Sequence, residues 1–361
     1  MQSIQQSKRI ADADADADAD VNATAGTRGP FKALITAIAL AMGIAGAPVQ
    51  AKSFKIAVGD SAGSAQEVLG KAFVAALEKE TGGKHTATLF LNGQLGSEQN
   101  TINDAAIGTL DMSIVAINNI TPFSPTVGSL TLPYVVLSLD DAVKITQGAI
   151  GAELTENTIR DAGVRIVGWT YTGFRRLTNS KKPVTTVKDL QGLVVRVPKN
   201  EIMIATYKAW GINPTPMAWS ETFAALQQKV VDGQDNPYLT INAMKFDEVQ
   251  KYVTNLRYIF SIEPLVVSEM LFQDLNKADQ DAILAAGKTA TVASAKFLTD
   301  SEASIKKELI NKGMEIIDPA DDEKEFIDLA TKAVWPQFYD SIGGVGKLNA
   351  VLTSIGRDPV K

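Results

Sequence analysis

The sequence predicts an α/β fold built as two lobes. Three observations lead there. Short apolar strands alternate with helical segments along most of the chain, the pattern of mainly parallel sheets covered by helices. The alternation then starts again on new material, in a chain of 361 residues that is long enough for roughly two domains. After the second set, a helical pattern of about 36 residues runs almost unbroken, about 54 Å if straight. That exceeds one small domain and predicts a helix packed on both lobes.

Residues 54–59 (FKIAVG) read as the first strand. Residues 64–80 follow with helical apolar spacing at Val68, Leu69, Ala72, Phe73, Ala76 and Leu77. Residues 88–91 are the second strand, 98–108 a short helix and 111–115 the third strand. Residues 140–162 read as one longer helix closed by Gly163, and 164–168 as the next strand. The second set begins with a strand at 193–197 and a helix at 201–210 ended by Gly211, in which Trp210 falls on the apolar face. A Pro-rich extended segment at 212–217 and a helix at 221–231, stopped by Asp232-Gly233, complete it. Residues 258–260 and 265–267 are apolar stretches flanking Glu263-Pro264, and read as strands crossing between the lobes. Asn276 is an N-cap with Asp279 at the third helical position, a variant capping box. From there the long helix runs to Gly313. Two helices joined at a bend at Gly287 are the alternative, since a mid-helix glycine costs only about 1 kcal/mol relative to alanine. Helices near 321–334 and 347–355 finish the chain. This reading groups residues 52–173 with 262–301 in the first lobe, and 174–261 with 302–361 in the second.

Residues 1–51 fall outside the predicted fold. Residues 11–20 alternate Ala and Asp without a break and cannot bury a core. Residues 33–47 are apolar, preceded by Arg28 and Lys32 and followed by Val49-Gln50-Ala51, the three regions of a cleavable secretory signal. The run is short of the about 20 residues that span a bilayer. The mature chain is expected to begin near Lys52 after secretion, and its lack of cysteine suits an envelope protein that does not rely on oxidation.

Composition narrows the function. The net charge is −6 and no basic stripe appears, which argues against a nucleic-acid partner. Without cysteine there are no thiol nucleophiles or thiolate metal sites. The single histidine, His85, lies in Gly82-Gly83-Lys84-His85-Thr86 and reads as an exposed turn residue, so neither a multi-histidine metal site nor a Ser-His-Asp triad is expected. Residues 59–64 (GDSAGS) lack the Gly-Lys-Ser/Thr end of a phosphate loop. No metal or cofactor is called for. A carboxylate-pair hydrolase is the enzyme class that composition leaves open.

Arg196 is the most informative residue. It interrupts the apolar strand Leu193-Val194-Val195-Arg196-Val197-Pro198. A guanidinium keeps its proton at any useful pH and must meet either water or an anion. An Arg fork matches a carboxylate with two parallel hydrogen bonds. An edge-strand arginine with its head in solvent is the bland alternative. Some 40 residues on, Pro237 biases Asn236 toward an extended backbone, from which its amide reaches either a ligand oxygen or its own loop.

These stretches, taken in order, resemble one family. Val195-Arg196-Val197-Pro198, Ala209-Trp210-Gly211-Ile212-Asn213-Pro214-Thr215-Pro216-Met217, Ser220-Glu221, Ala225-Leu226-Gln227 and Val231-Asp232-Gly233-Gln234-Asp235-Asn236-Pro237 are similar to the substrate-binding proteins of TRAP transporters, of the DctP type. Gly93-Gln94-Leu95-Gly96, Leu132-Pro133-Tyr134, Gly173-Phe174-Arg175 and Asp189-Leu190-Gln191-Gly192-Leu193 extend the likeness over nearly all of residues 52–361. The resemblance implies a two-lobed clamshell that captures an organic acid and delivers it to a TRAP permease, rather than an enzyme. It implies that Arg196 pairs with the ligand carboxylate, that Arg175 or its neighbour Arg176 assists, and that Asn236 contacts the ligand from across the cleft. Asp60, and Asn118 or Asn119, occupy regions that resemble cleft-lining ones. Trp169 and Trp219 are candidate pocket aromatics, and Tyr238 a candidate hydroxyl. A sensory binding protein of the same fold is the alternative function.

Overall fold

Strand Lys52–Val58 (β1) is the point from which the first sheet grows, its inward residues Phe54, Ile56 and Val58 fully buried. The computed structural model describes residues 51–360; the expected secretory signal lies outside them. Helix Ala65–Glu80 (α1) returns the chain to strand His85–Phe90 (β2), and helix Glu98–Ala106 (α2) to strand Met112–Ile114 (β3). Helices Leu139–Gln147 (α3) and Ala149–Ala162 (α4) precede the long strand Val164–Phe174 (β4). The second set comprises Arg176–Asn179 (β5), Arg196–Val197 (β6), helix Glu201–Ala209 (α5), Thr215–Pro216 (β7), helix Thr222–Gln227 (α6), Gly233–Asn236 (β8), helix Tyr238–Ala243 (α7) and Tyr252–Thr254 (β9). Strand Phe260–Ser268 (β10) crosses back, followed by helices Glu269–Asp274 (α8) and Lys277–Asn311 (α9), strand Glu315–Ile317 (β11), and helices Lys324–Phe338 (α10) and Val345–Ser354 (α11).

The strands make a five-stranded sheet, β2-β1-β3-β10-β4, and a four-stranded sheet, β11-β9-β5-β8, with β6 and β7 as a small separate pair. The expectation of mainly parallel sheets needs correcting. β1 is parallel to β2 and β3, but β10 runs antiparallel to both β3 and β4, and β5 antiparallel to both β8 and β9. The chain leaves the first sheet along β4 and enters the second one residue later as β5. It returns along β10, which pairs with β4 from Phe260↔Phe174 to Ser268↔Val164. The crossing strands are therefore the antiparallel members. Arg175 is the residue between β4 and β5, at the crossing itself. Gly173 beside it has φ +94°, a conformation that favours glycine.

Helix starts follow their caps. The side chains of Ser64, Ser97, Ser138, Asn200 and Asn276 each accept a backbone N–H of the first turn. The single helix expected at 140–162 is two, broken at Gly148, whose backbone is extended; a Cβ there would lie 2.6 Å from the Lys144 carbonyl oxygen. The 35 residues of α9 are unbroken, about 52 Å. Gly287 does not bend it. A Cβ at Gly287 would lie 1.8 Å from the Val167 carbonyl oxygen, so the glycine is where helix and β4 backbone meet. Near its start α9 packs with α1 and β4, and Leu309 near its end joins the cluster of Leu226, Tyr238, Phe246 and Val253 beside the second sheet. The segment 302–361, grouped above with the second lobe, divides in its packing. α10 lies on α5, with Trp210 Nε1 donating to the Phe326 carbonyl (3.0 Å), whereas α11 lies on α3 and α4.

His85 is also corrected. It opens β2 and is 1% exposed. Its Nδ1 accepts the Lys52 N–H (3.1 Å), its ring lies 5.6 Å from that of Phe54, and Nε2 lies 3.2 Å from Asp279 Oδ1 at the start of α9. The glycines before it turn the chain, but the parallel pairing Lys52↔His85 places the ring inside.

Candidate functional site

Between the two sheets lies a narrow, nearly filled cavity with only about 20 Å³ of free space. It is lined by Asp60, Gln66, Glu98 and Glu263 from the side of the first sheet, and by Arg196, Trp219, Asn236 and Thr240 from the side of the second; Arg175 stands at the crossing and Asn118 and Asn119 at the rim. A wider hollow of about 530 Å³ between Leu226, Lys229, Asp247 and Gly313 is open to solvent on the outside of the second lobe and has no buried arginine. The buried charged groups line the smaller one.

Arg196 is 2% exposed, so its head is not in bulk water. Its Nε and Nη2 donate to the Met217 carbonyl oxygen (3.1 and 2.8 Å), and its guanidinium carbon is 5.5 Å from the centre of the Trp219 ring. Burial, and then the neighbouring Arg175, lower its pKa to about 10, leaving it charged at neutral pH. Arg175 is 3% exposed. Its Nε donates to Asp235 Oδ2 (2.5 Å) and its Nη2 to the Asp235 carbonyl, while Tyr258 Oη donates to the same carboxylate. Burial alone would depress the Arg175 pKa; the charge and hydrogen bond of Asp235, together with Tyr258 and Tyr207, outweigh it and raise the pKa. Each guanidinium is thus held along one edge. Nη1 of either arginine donates to no group among the described residues.

Arg176, the alternative second anchor, faces elsewhere. Its Nη1 donates to the Leu256 carbonyl (2.6 Å), and its head sits between the rings of Phe174 and Tyr238 near Glu302. Consecutive strand residues point to opposite faces, so only one of the pair reaches the cleft. Asn236, at the end of β8, spends one amide hydrogen on Gln234 Oε1 (2.6 Å). Asn118 lines the cavity, and its Nδ2 has no partner among the described residues.

Two expected residues lie outside. Trp169 is packed between β4 and α9, its backbone N–H donating to Thr291 Oγ1 (2.9 Å). Tyr238 faces away, its hydroxyl donating to Asn255 Oδ1 (3.0 Å); Thr240, two residues further along the helix, lines the cavity instead.

Of the acidic wall, only Asp60 was named from the sequence. Gln66 organises it: Oε1 accepts the N–H groups of Gly59 and Asp60 (3.0 and 3.1 Å), and Nε2 donates to Glu98 Oε1 (3.2 Å) and Glu263 Oε2 (3.0 Å). Glu98 Oε2 also accepts from the Ala116 N–H (3.1 Å) and from Asn119 Nδ2. Glu263 Oε1 accepts from Thr172 and Ser261 (3.2 Å each). Asp60 Oδ1 accepts from Trp219 Nε1 (3.0 Å), while Oδ2 has no partner among the described residues. Burial, reinforced by the neighbouring carboxylates, raises the pKa of Asp60 well above the usual range and that of Glu98 to about 7; burial also raises Glu263.

The two sides touch. Besides Trp219 on Asp60, Asn200 Nδ2 donates to the Asn118 carbonyl (2.9 Å), Ser61 Oγ to the Ala243 carbonyl (2.5 Å) and Gln99 Nε2 to the Lys199 carbonyl (3.3 Å). This is a closed clamshell, its arginines and its carboxylates facing one cleft.

Residues 58–341 match the family model DctP, described as bacterial extracellular solute-binding protein, family 7. The chain belongs to this family. It is a TRAP periplasmic solute-binding protein, and its relatives are receptors rather than enzymes. Solved structures of the DctP family resemble it over most of its length. A TRAP periplasmic solute-binding protein from Rhodobacter sphaeroides, in an open form without ligand, is 36% identical, with 84% of this chain and 98% of that one covered and a TM-score of 0.69. One from a Polaromonas species, bound to D-erythronate, is 31% identical (83% and 98% covered, TM-score 0.77). One from Roseobacter denitrificans, bound to L-galactonate, is 32% identical (79% and 94% covered, TM-score 0.75). The two acid-bound TRAP proteins superpose better than the open one despite lower identity, in keeping with the closed cleft.

Proposed function

We propose that this protein captures a hydroxylated monocarboxylate between its lobes in the periplasm and delivers it to a TRAP permease. The observation that carries this reading is the pair of buried arginines, each held along one edge and keeping Nη1 for a ligand in the same closed cleft. In this reading the guest's carboxylate is met by Arg196 and Arg175, and water exclusion strengthens each charge-assisted bond. The unpartnered Nδ2 of Asn118 adds a donor. The opposite wall of Asp60 and Glu98 accepts hydroxyl hydrogens and repels a second carboxylate. The erythronate and galactonate held by the relatives are hydroxylated monoacids, which supports the same class here.

The test is a thermal-shift screen over organic acids followed by calorimetric titration of the hits, since tight binding raises apparent stability by mass action. Hydroxylated monoacids are expected to bind and dicarboxylates not. NMR of the released ligand should show it unchanged. Arg196→Ala should lose about 2–5 kcal/mol of binding, roughly 30- to several thousand-fold. Full affinity in that variant refutes the anchoring role.

A further inference from the structure

The cleft holds more acid than base. Asp60, Glu98 and Glu263 line it, and Asp235 stands behind Arg175; the basic groups are Arg175 and Arg196, all six no more than 6% exposed. With every group ionised this set carries a charge of −2, and a bound carboxylate would make it −3. Asp235 is committed to Arg175, so Arg196 alone opposes the three wall carboxylates and the guest. Burying uncompensated negative charge is costly enough that groups neutralise instead.

The geometry shows where protons go. Glu98 and Glu263 share a single Gln66 Nε2 donor, which holds the two carboxyl groups close together. Asp60 Oδ2 is buried in the cleft with no donor, the position from which a protonated carboxyl would itself donate to a ligand oxygen. The charged and titratable groups around the cluster are Arg175 at the β4–β5 crossing, Arg196 on β6, Asp235 on β8, Tyr207 on α5 and Tyr258 before β10; Lys199 stands at the outer mouth beside Glu98. The bonds from Trp219 to Asp60 and from Asn200 to Asn118 form only when the halves meet, so closure is what removes the wall from water.

We propose that capture is coupled to proton uptake: closing on an organic acid draws about one proton into the Asp60–Glu98–Glu263 cluster, and that proton leaves when the acid does. This rests on the receptor reading above. The direction of the titration agrees, because burial raises all three carboxyl groups, Glu98 to about 7. Solvated carboxylates ionise near 4. In the open form the wall is therefore ionised at pH 6, and in the closed form partly protonated. Affinity is greatest on the acid side and weakens about tenfold per pH unit between about pH 5.5 and 7 for each proton taken up.

The experiment is calorimetric titration of the protein at pH 6.5 with D-erythronate and L-galactonate, in phosphate, HEPES and Tris, whose ionisation heats differ. The slope of the observed heat against buffer ionisation heat counts protons. A count near one, with weaker binding at higher pH, supports the coupling. Glu98→Gln should then lower the count and flatten the pH dependence. Should that variant fold poorly, the wild-type buffer series alone decides. Binding with a count of zero and a Kd constant from pH 5.5 to 8 overturns the coupling and leaves the receptor intact. Absence of binding to either acid, and to any acid of the thermal-shift screen, overturns the receptor reading and the coupling with it.

Discussion

Gly287→Ala sets two effects against each other, and the geometry decides the sign. Replacing a mid-helix glycine with alanine should stabilise a helix by about 1 kcal/mol. Here the new Cβ would fall 1.8 Å from the Val167 carbonyl oxygen and 2.6 Å from its carbon, where ordinary contact begins at 3.4 Å. The obstacle is strand backbone, which cannot rotate away. α9 would have to retreat by about 1.5 Å, and a gap of that size forfeits much of the dispersion energy across it. Ile283, Ala286 and Ala290, all fully buried on the same helix, would lose contact with it. Overpacking a core costs about 1–3 kcal/mol, occasionally more, and backbone against backbone belongs at the upper end. The expected balance is a net loss of about 2 kcal/mol, or roughly 3 °C in Tm for a folded chain of this size. Thermal unfolding followed by circular dichroism measures it. Gly346→Ala in α11, where a Cβ meets nothing within 4 Å, is the control and should be neutral or slightly stabilising. A Gly287→Ala protein as stable as wild type would refute the claim that this glycine exists for close approach.

Trp219→Phe keeps a ring over Arg196 but removes the donor to Asp60. The lost bond exists only in the closed form, and to a carboxyl that burial holds toward its protonated state it is worth about 0.5–1.5 kcal/mol, so Kd should rise roughly 2- to 10-fold, with small-angle scattering showing more open protein. Unchanged affinity would show that the latch contributes nothing. Asp189→Ala tests the Asp-Leu-Gln-Gly-Leu motif. Asp189 Oδ2 accepts the N–H groups and hydroxyls of Thr185 and Thr186, and these bonds hold its pKa at about 2. A carboxylate depressed on folding stabilises above its unfolded value near 4 and loses that contribution as pH falls through about 2. The variant should be less stable by about 1 kcal/mol at pH 7, after allowance for solvent screening, and indistinguishable near pH 1.5. An equal deficit at both pH values would place the effect in packing rather than charge.

Arg196 was legible because a permanent charge inside an apolar strand demands an explanation. The same logic applied to Glu263, which also sits in an apolar run. It was passed over because Glu263-Pro264 looks like a break between two strands. In fact β10 runs through Pro264, which pairs with Trp169, and an irregularity follows at Leu265. Trp169 was misplaced for a related reason: opposite Pro264 its N–H turns to Thr291 on α9, which ties it to the helix side. Glu98 carried no signal, since an acidic residue behind a serine cap is what any helix start favours. The lobes and long helix were readable from local pattern. The acidic wall was not, because Gln66, Glu98 and Glu263 meet only through β10 inserting between β3 and β4, a pairing of residues up to 197 apart in sequence.

That insertion also explains how a chain of net charge −6 can hold an anion. Its long-range field does not attract one, so selection must come from closure. The closed form gains a few polar bonds between the halves, each worth about 0.5–1.5 kcal/mol net. Against them stands the desolvation of the wall. Glu98 keeps its proton to about pH 7 when closed but, solvated, would lose it near 4.5. A carboxyl raised on burial imposes no penalty below its solvated value, a growing one between the two values, and the whole of it above the higher: about 3 kcal/mol here. The gain and the penalty are similar in size near neutral pH. Two states so nearly balanced are switched by a ligand that favours one by a few kcal/mol. On the proposed reading, a carboxylate on the free edges of Arg196 and Arg175 would supply that difference, and rising pH would work against it.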